Sequence, residues 1–333
     1  MSSEPQSLQA AGDAMPTAPG QRRRIVSIGE CMIEMADRGD GTMTMAYAGD
    51  TLNTAVYLAR LNGPALAVDY VTALGDDPYS DGMVAFWRQE GIGTDWVARL
   101  PGQLPGLYLI RTDDEGERSF YYYRSAAPAR SLFDLPSTVD LLDHLAGADM
   151  VHFSGITLAI LSYPARDRLA EALQKLRRGG TRIVFDGNYR PALWPSADVA
   201  RRVVTRFLSF VDMALPSADD EQALFGDQSC EAVADRLGDL GVGEVLVKNG
   251  SKGCFISSGE MRRHVPVARM VRPVDTTGAG DSFNAGYLSG RIAGLEPAEA
   301  ADLGGRLAAT VIAHRGAIIP RDAMGDLLHC LAR

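Results

Sequence analysis

Cysteine and histidine are sparse in this chain, and positive charge is in deficit. Four cysteines, Cys31, Cys230, Cys254 and Cys330, are spread through 333 residues with no C-x-x-C pair among them. That spacing argues against a disulfide-stapled scaffold and reads as free thiols in a reducing compartment, the cytoplasm. The five histidines (His144, His152, His264, His314 and His329) offer no pair with helical metal-ligand spacing. A formal net charge of −9 argues against attachment to nucleic acid or to an anionic membrane surface. No apolar run approaches the ~18 residues of a membrane-spanning helix. Two nucleotide signatures are also missing. The first strand leads into SIGECMIEM rather than G-x-G-x-x-G, and no G-x-x-x-x-G-K-[ST] occurs. A dinucleotide-dependent hydride transferase and a P-loop enzyme are thereby disfavoured.

What is present is a globular composition, 46% hydrophobic and 23% charged. The length suits one large α/β domain or two ordinary ones. Apolar runs at 25–29, 67–74, 150–155, 182–188, 211–217 and 244–250 read as strands. Amphipathic stretches at 51–62, 78–91, 163–179, 197–210 and 229–240 read as the helices between them. This alternation predicts an α/β fold with a doubly wound, mainly parallel sheet. Residues 1–23 read as a disordered tail ahead of one domain at 24–333. Two stretches interrupt the alternation, at about 31–48 and 104–125. The second reads as a hairpin, GLYLIRT and RSFYYYR around DDEGE. Together they are expected to form a small β-flap, or lid, over the site; the other reading is a hairpin packed permanently on the domain edge.

Near the C-terminus stands DTTGAGDSFNAGYLSG, residues 275–290. Gly278, Ala279 and Gly280 can turn successive backbone N–H groups toward one point. A helix starting near Asp281 adds its free amides and the positive end of its dipole. Such a turn suits a transferring phosphoryl group. A carboxylate there repels phosphate, so Asp281 reads as the base for an attacking hydroxyl, or as a simple helix cap. The helix start is expected to keep Asp281 ionised at neutral pH.

The full string D-T-T-G-A-G-D-S-F-x-A-G resembles the C-terminal signature of the ribokinase-like (PfkB) sugar kinases. The resemblance implies a three-layer ribokinase-like fold, ATP and Mg²⁺ as cofactors, and Asp281 as catalytic base with the amides of Gly278 to Asp281 as its anion hole. It also implies substrate hydroxyls on Asp50 and Asn53 in AGDTLNTAVYLARLN, with close approach at Gly49. This chain carries Ala48-Gly49 where most members carry two glycines. Asn188, Lys248, Asn249 and Gly250 fall where the family holds nucleotide. The family's N-x-x-E element corresponds to Ser217-Ala218-Asp219-Asp220, so a water-mediated magnesium contact falls to Asp220. The bland reading of Asp219, Asp220 and Glu221 is a solvated acidic first turn of a helix.

Within the family, SIGECMIEM, GDTLNTAVYLAR, LPGLYLI, ERSFYYYR, SGITLAIL, DGNYRPALW and RGAIIPR together resemble members acting on 2-keto-3-deoxygluconate, a sugar acid. An acidic protein needs fixed cations to bind such a substrate. Arg124 and Arg190 are the candidates, with Arg190 open to either carboxylate or phosphate. Tyr108 and Tyr122 are placed beside the sugar by the same resemblance; alternatively they form a cross-strand aromatic stripe. A fructokinase, a ribokinase or a catalytically silent nucleotide-binding regulator are the competing readings. A homodimer or higher oligomer is expected, because lid strands in this family often pair between subunits.

Overall fold

The structure, a computed structural model, describes residues 22–112, 118–267 and 269–331. The DDEGE turn and most of the expected tail lie outside the described residues. Arg22 and Arg23, read as tail, belong to the fold. Arg23–Ile28 is the first strand, and Arg22 Nη2 donates to Leu66 O at 2.6 Å.

The main sheet has ten strands. From one edge it runs Met261–Val265, Cys254–Ser258, Glu244–Lys248, Met213–Ala214, Arg182–Asp186, Met150–Ser154, Arg23–Ile28, Leu66–Leu74 and Ile92–Gly93, with Val97–Arg99 also paired to Leu66–Leu74. Pairing is parallel except at the edge formed by Cys254–Ser258 and Met261–Val265, which is antiparallel. That hairpin has no counterpart in the sequence reading.

Side chains alternate between two cores, as strand geometry requires. Val26, Ile28, Val151 and Phe153 pack on one face; Ile25 and Met150 pack on the other. Helices Tyr163–Arg178, Ala197–Leu208 and Cys230–Asp239 cover the first face. Asp50–Asn62, Pro78–Gln89, Ala279–Ile292 and Pro297–Val311 cover the second. The result is three layers. Many helix starts are fixed by an N-cap side chain accepting a backbone N–H, as at Asp77, Ser162, Ser196, Ser217 and Ser229.

The two interrupting stretches make one separate four-stranded sheet. Its order is Met43–Ala48, Met32–Asp37, Gly106–Thr112 and Arg118–Tyr123. The central pair is parallel and the outer pairs are antiparallel. This sheet lies over the carboxyl ends of the parallel strands, so one cavity is lined by both.

Candidate active site

The cavity has a volume of about 1150 Å³. Met32, Tyr108, Phe120, Tyr122 and Arg124 line it from the small sheet; Asp50, Asp186, Lys248 and Asp281 line it from the main domain. Its location at the strand carboxyl ends is where open α/β sheets hold ligands.

Two helix starts meet at its floor. Asn53, in the first turn of Asp50–Asn62, donates from Nδ2 to Asp281 Oδ2 at 2.8 Å. Thr54 Oγ1 donates to Asp281 O at 3.2 Å. Asp50 accepts from Asn188 Nδ2 at 2.7 Å. Among the described residues Asn188 is the one non-glycine with positive φ, at 31°. A sparsely populated backbone angle at a ligand-facing position is where strain is commonly held for function.

The helix start does not set the charge on Asp281. Burial, followed by the nearby Asp50 carboxylate, pushes its pKa up to about 8; Asn53 and Lys248 only partly offset this. Asp281 thus holds its proton near neutrality, contrary to the expectation of ready ionisation. Asp50 is also raised, chiefly by burial.

The glycine turn takes the expected shape with one difference. Gly278 adopts φ 73°, and a methyl there would come within 2.8 Å of Ala317 O. The Ala279 amide is spent on Thr276 O at 3.2 Å. Among the described hydrogen bonds, the amides of Gly278, Gly280 and Asp281 have no acceptor in the protein. Three N–H groups, rather than four, are available to an anion.

Lys248 reaches this turn. Its Nζ donates to Asp186 Oδ1 at 3.1 Å and to Asn284 Oδ1 at 2.9 Å, and lies 3.7 Å from where a methyl on Gly280 would sit. Asp186 and Asn284 were not singled out from sequence. Asp186 had a signal, a carboxylate ending a buried strand; Asn284 had none beyond the motif.

Other expected residues divide. Gly250 lines the cavity, but Asn249 does not: its amide closes a turn onto Gly253 O at 2.8 Å and its side chain meets the Cys230 thiol. Arg190 is half exposed, with Nη1 on Tyr189 O at 2.9 Å and 3.6 Å from Asp220. The acidic run separates: Asp219 and Asp220 both line the cavity, Asp219 exposed and Asp220 accepting from the Tyr189 amide at 3.2 Å, and Glu221 is buried against Arg236. The solvated-turn reading therefore fits Asp219 alone.

At the lid end, Tyr108 and Tyr122 face each other across the hairpin with ring centroids 5.6 Å apart. The Tyr108 hydroxyl is already bonded to Glu34. Arg124 is buried and pairs with Glu30, which the sequence reading passed over. Gly49 permits the packing beneath: a methyl there would lie 2.1 Å from Glu30 O.

No group of three or more His, Cys, Asp or Glu side chains that could hold a metal occurs among the described residues. No helix among the described residues is long and apolar enough to cross a membrane.

A deep cleft with free amides at a helix start, a carboxylate beside them and a lysine within reach is the equipment of phosphoryl transfer. The model of the pfkB family of carbohydrate kinases matches residues 22–324, and the chain belongs to that family. It is 45% identical to the 2-dehydro-3-deoxygluconokinase of Dickeya dadantii, over 91% of this chain and 98% of that protein. The enzyme of that name from Escherichia coli is 44% identical, over 91% and 99%. The crystal structure of 2-dehydro-3-deoxygluconokinase from Thermotoga maritima superposes with a TM-score of 0.79 at 20% identity, covering 92% of this chain and 99% of that one. The fold is ribokinase-like.

Proposed function

We propose that this kinase phosphorylates 2-keto-3-deoxygluconate (the 2-dehydro compound of its relatives' names) at the C6 hydroxyl, with ATP as phosphoryl donor. The observation that carries this reading is one cavity lined by Asp281 with its free amides from the main domain and by a buried arginine, Arg124, from the lid. The acceptor lies under the lid, its carboxylate toward Arg124 and its terminal hydroxyl at Asp281. Asp50 and Asn53 take intermediate hydroxyls, with Tyr108 and Tyr122 against the sugar chain. Asp281, in its ionised form, accepts the hydroxyl proton while the γ-phosphoryl group moves in line from ATP to the oxygen. Gly278, Gly280 and Asp281 amides, with Lys248, balance the charge on that group. Asn188 and Gly250 lie on the nucleotide side, where Val265, Met270 and Ile312 give an apolar slot for the base. Arg190 sits between the two substrates and can take phosphate once released from Asp220.

Magnesium fits the donor set. Asp220 and Asp186 line the cavity, and this ion commonly takes one or two carboxylates plus phosphates and waters rather than a full protein cage. When bound it would neutralise phosphate charge. The reading places the protein in the cytoplasm, supported by its four free cysteines. It also includes a homodimer or higher homo-oligomer through the lid, supported by the exposed Tyr121 and Tyr123.

The test is a phosphorylation assay with ATP on 2-keto-3-deoxygluconate, its galacto epimer, fructose and ribose. The keto acids are expected to be turned over well above the neutral sugars. Preference for fructose or ribose would reject the acceptor, and no turnover of any would reject catalysis.

A further inference from the structure

Glu30 has no part in the reaction as described, yet it is among the most buried charged groups near the cavity, 2% exposed. It stands where the chain first leaves the main domain for the lid, just before Met32–Asp37. Every other crossing between domain and lid touches it. The first return is at Gly49, whose missing Cβ would lie 2.1 Å from Glu30 O. The second departure is at Gly106, whose missing Cβ would lie 3.0 Å from Glu30 Oε1. The second return is at Arg124, whose Nη2 donates to Glu30 Oε2.

The ion pair is half made. Glu30 Oε1 and Arg124 Nε are both buried without a partner, although they belong to groups already bonded to each other. A guanidinium can bind a carboxylate through two parallel N–H bonds. Here one bond goes to Glu30 while the group lines the cavity, 5.9 Å from the Tyr122 ring centroid. Burial raises the Glu30 carboxyl; Arg124 and, more weakly, Arg130 oppose it. Leaving one polar group of such a pair unmatched is costly unless a ligand supplies the match.

We propose that Glu30 is a positioning residue for the acceptor's carboxylate: it holds Arg124 by one N–H, leaves the remaining donors for the substrate, and ties that contact to the hinge of the lid. This rests on the keto-acid reading above. A neutral sugar offers no anion to the remaining guanidinium donors, whereas an acid does, at the point where all four lid crossings meet.

The experiment measures KM and kcat for 2-keto-3-deoxygluconate and ATP in Glu30→Ala and Glu30→Gln, with active sites counted by nucleotide binding. Glu30→Ala is expected to raise KM for the keto acid about tenfold or more, the usual worth of a hydrogen bond to a charged group. Its kcat and KM for ATP should stay within about threefold of wild type. Glu30→Gln keeps an oxygen for the same N–H and should restore most of the lost affinity. A purely structural role would lower the melting temperature and the active fraction but leave KM alone. Should Glu30→Ala fail to fold, Glu30→Asp, one methylene shorter, carries the same test. A keto-acid kinase whose KM ignores the substitution overturns this inference only. A wild-type protein that prefers a neutral sugar overturns it together with the acceptor assignment.

Discussion

Strand Met150–Ser154 in the main sheet is buried at every position, whereas strand Met43–Ala48 in the lid is exposed at its first four. The difference runs through the whole site. The floor of the cavity is held by hydrogen bonds among helix starts, strand ends and the residues beside them: Asn53 to Asp281, Asn188 to Asp50, Lys248 to Asp186 and Asn284. The roof is held by a half-satisfied ion pair and a row of aromatic rings, with Tyr122 more than half exposed. Chemistry common to a whole family sits on the rigid part. In the proposed reading the contacts that choose the acceptor hang from the lid, whose edge strand Met43–Ala48 is little buried and where movement is cheapest.

That division makes separate predictions for the two regions. The largest effect belongs to the floor. Asp281→Asn should lower kcat by ~10²–10⁴, the usual worth of a general base, with the fold intact. Steady-state turnover and circular dichroism check this; full turnover would move the base elsewhere. The roof should act on affinity instead. Arg124→Ala is expected to raise KM for the keto acid ~10–100-fold while changing a neutral sugar less than about threefold. Equal losses on both would erase the contrast between floor and roof.

The smallest effect concerns stability. Asp281 has a folded-state pKa raised to about 8, chiefly by burial. The folded chain therefore holds that proton more tightly than the unfolded chain. Stability from this group is full below the ordinary carboxylate pKa of about 4 and is lost as pH rises toward 8. Asp281→Asn lacks this loss. It should gain on wild type by on the order of 1.4 kcal/mol for each pH unit between about 4 and 8, with the gap closing toward pH 4. Denaturant melts at the two pH values measure it.

The same division explains what could be read from sequence. Parallel strands buried on both faces are continuous apolar runs, so their positions were visible. The lid was visible by its interruption of that rhythm. Helix Pro297–Val311 was not among the expected helices. In the structure a methyl at Gly286 would lie 2.6 Å from Gly304 Cα, so these glycines let two helices touch. Asp281, Asn53 and Asp50 were legible because motif and chemistry coincide locally. The Lys248–Asp186 pair was not: it joins two strand ends separated by Met213–Ala214. Glu30 and Arg124 are 94 positions apart and meet only through the lid crossings. The charge state of Asp281 was misjudged for the same reason. The helix start is local in sequence, whereas the burial that dominates, and the Asp50 and Asp186 carboxylates that add to it, come from other elements.

The pH dependence of kcat/KM for the acceptor, taken at saturating ATP, tests the base assignment most directly. With Asp281 pushed up to about 8, log(kcat/KM) should climb with a slope of one, about tenfold per pH unit, and level off near pH 8. A profile flat from about pH 6 to 9, with Asp281→Asn still turning over, would contradict proton transfer to this carboxylate.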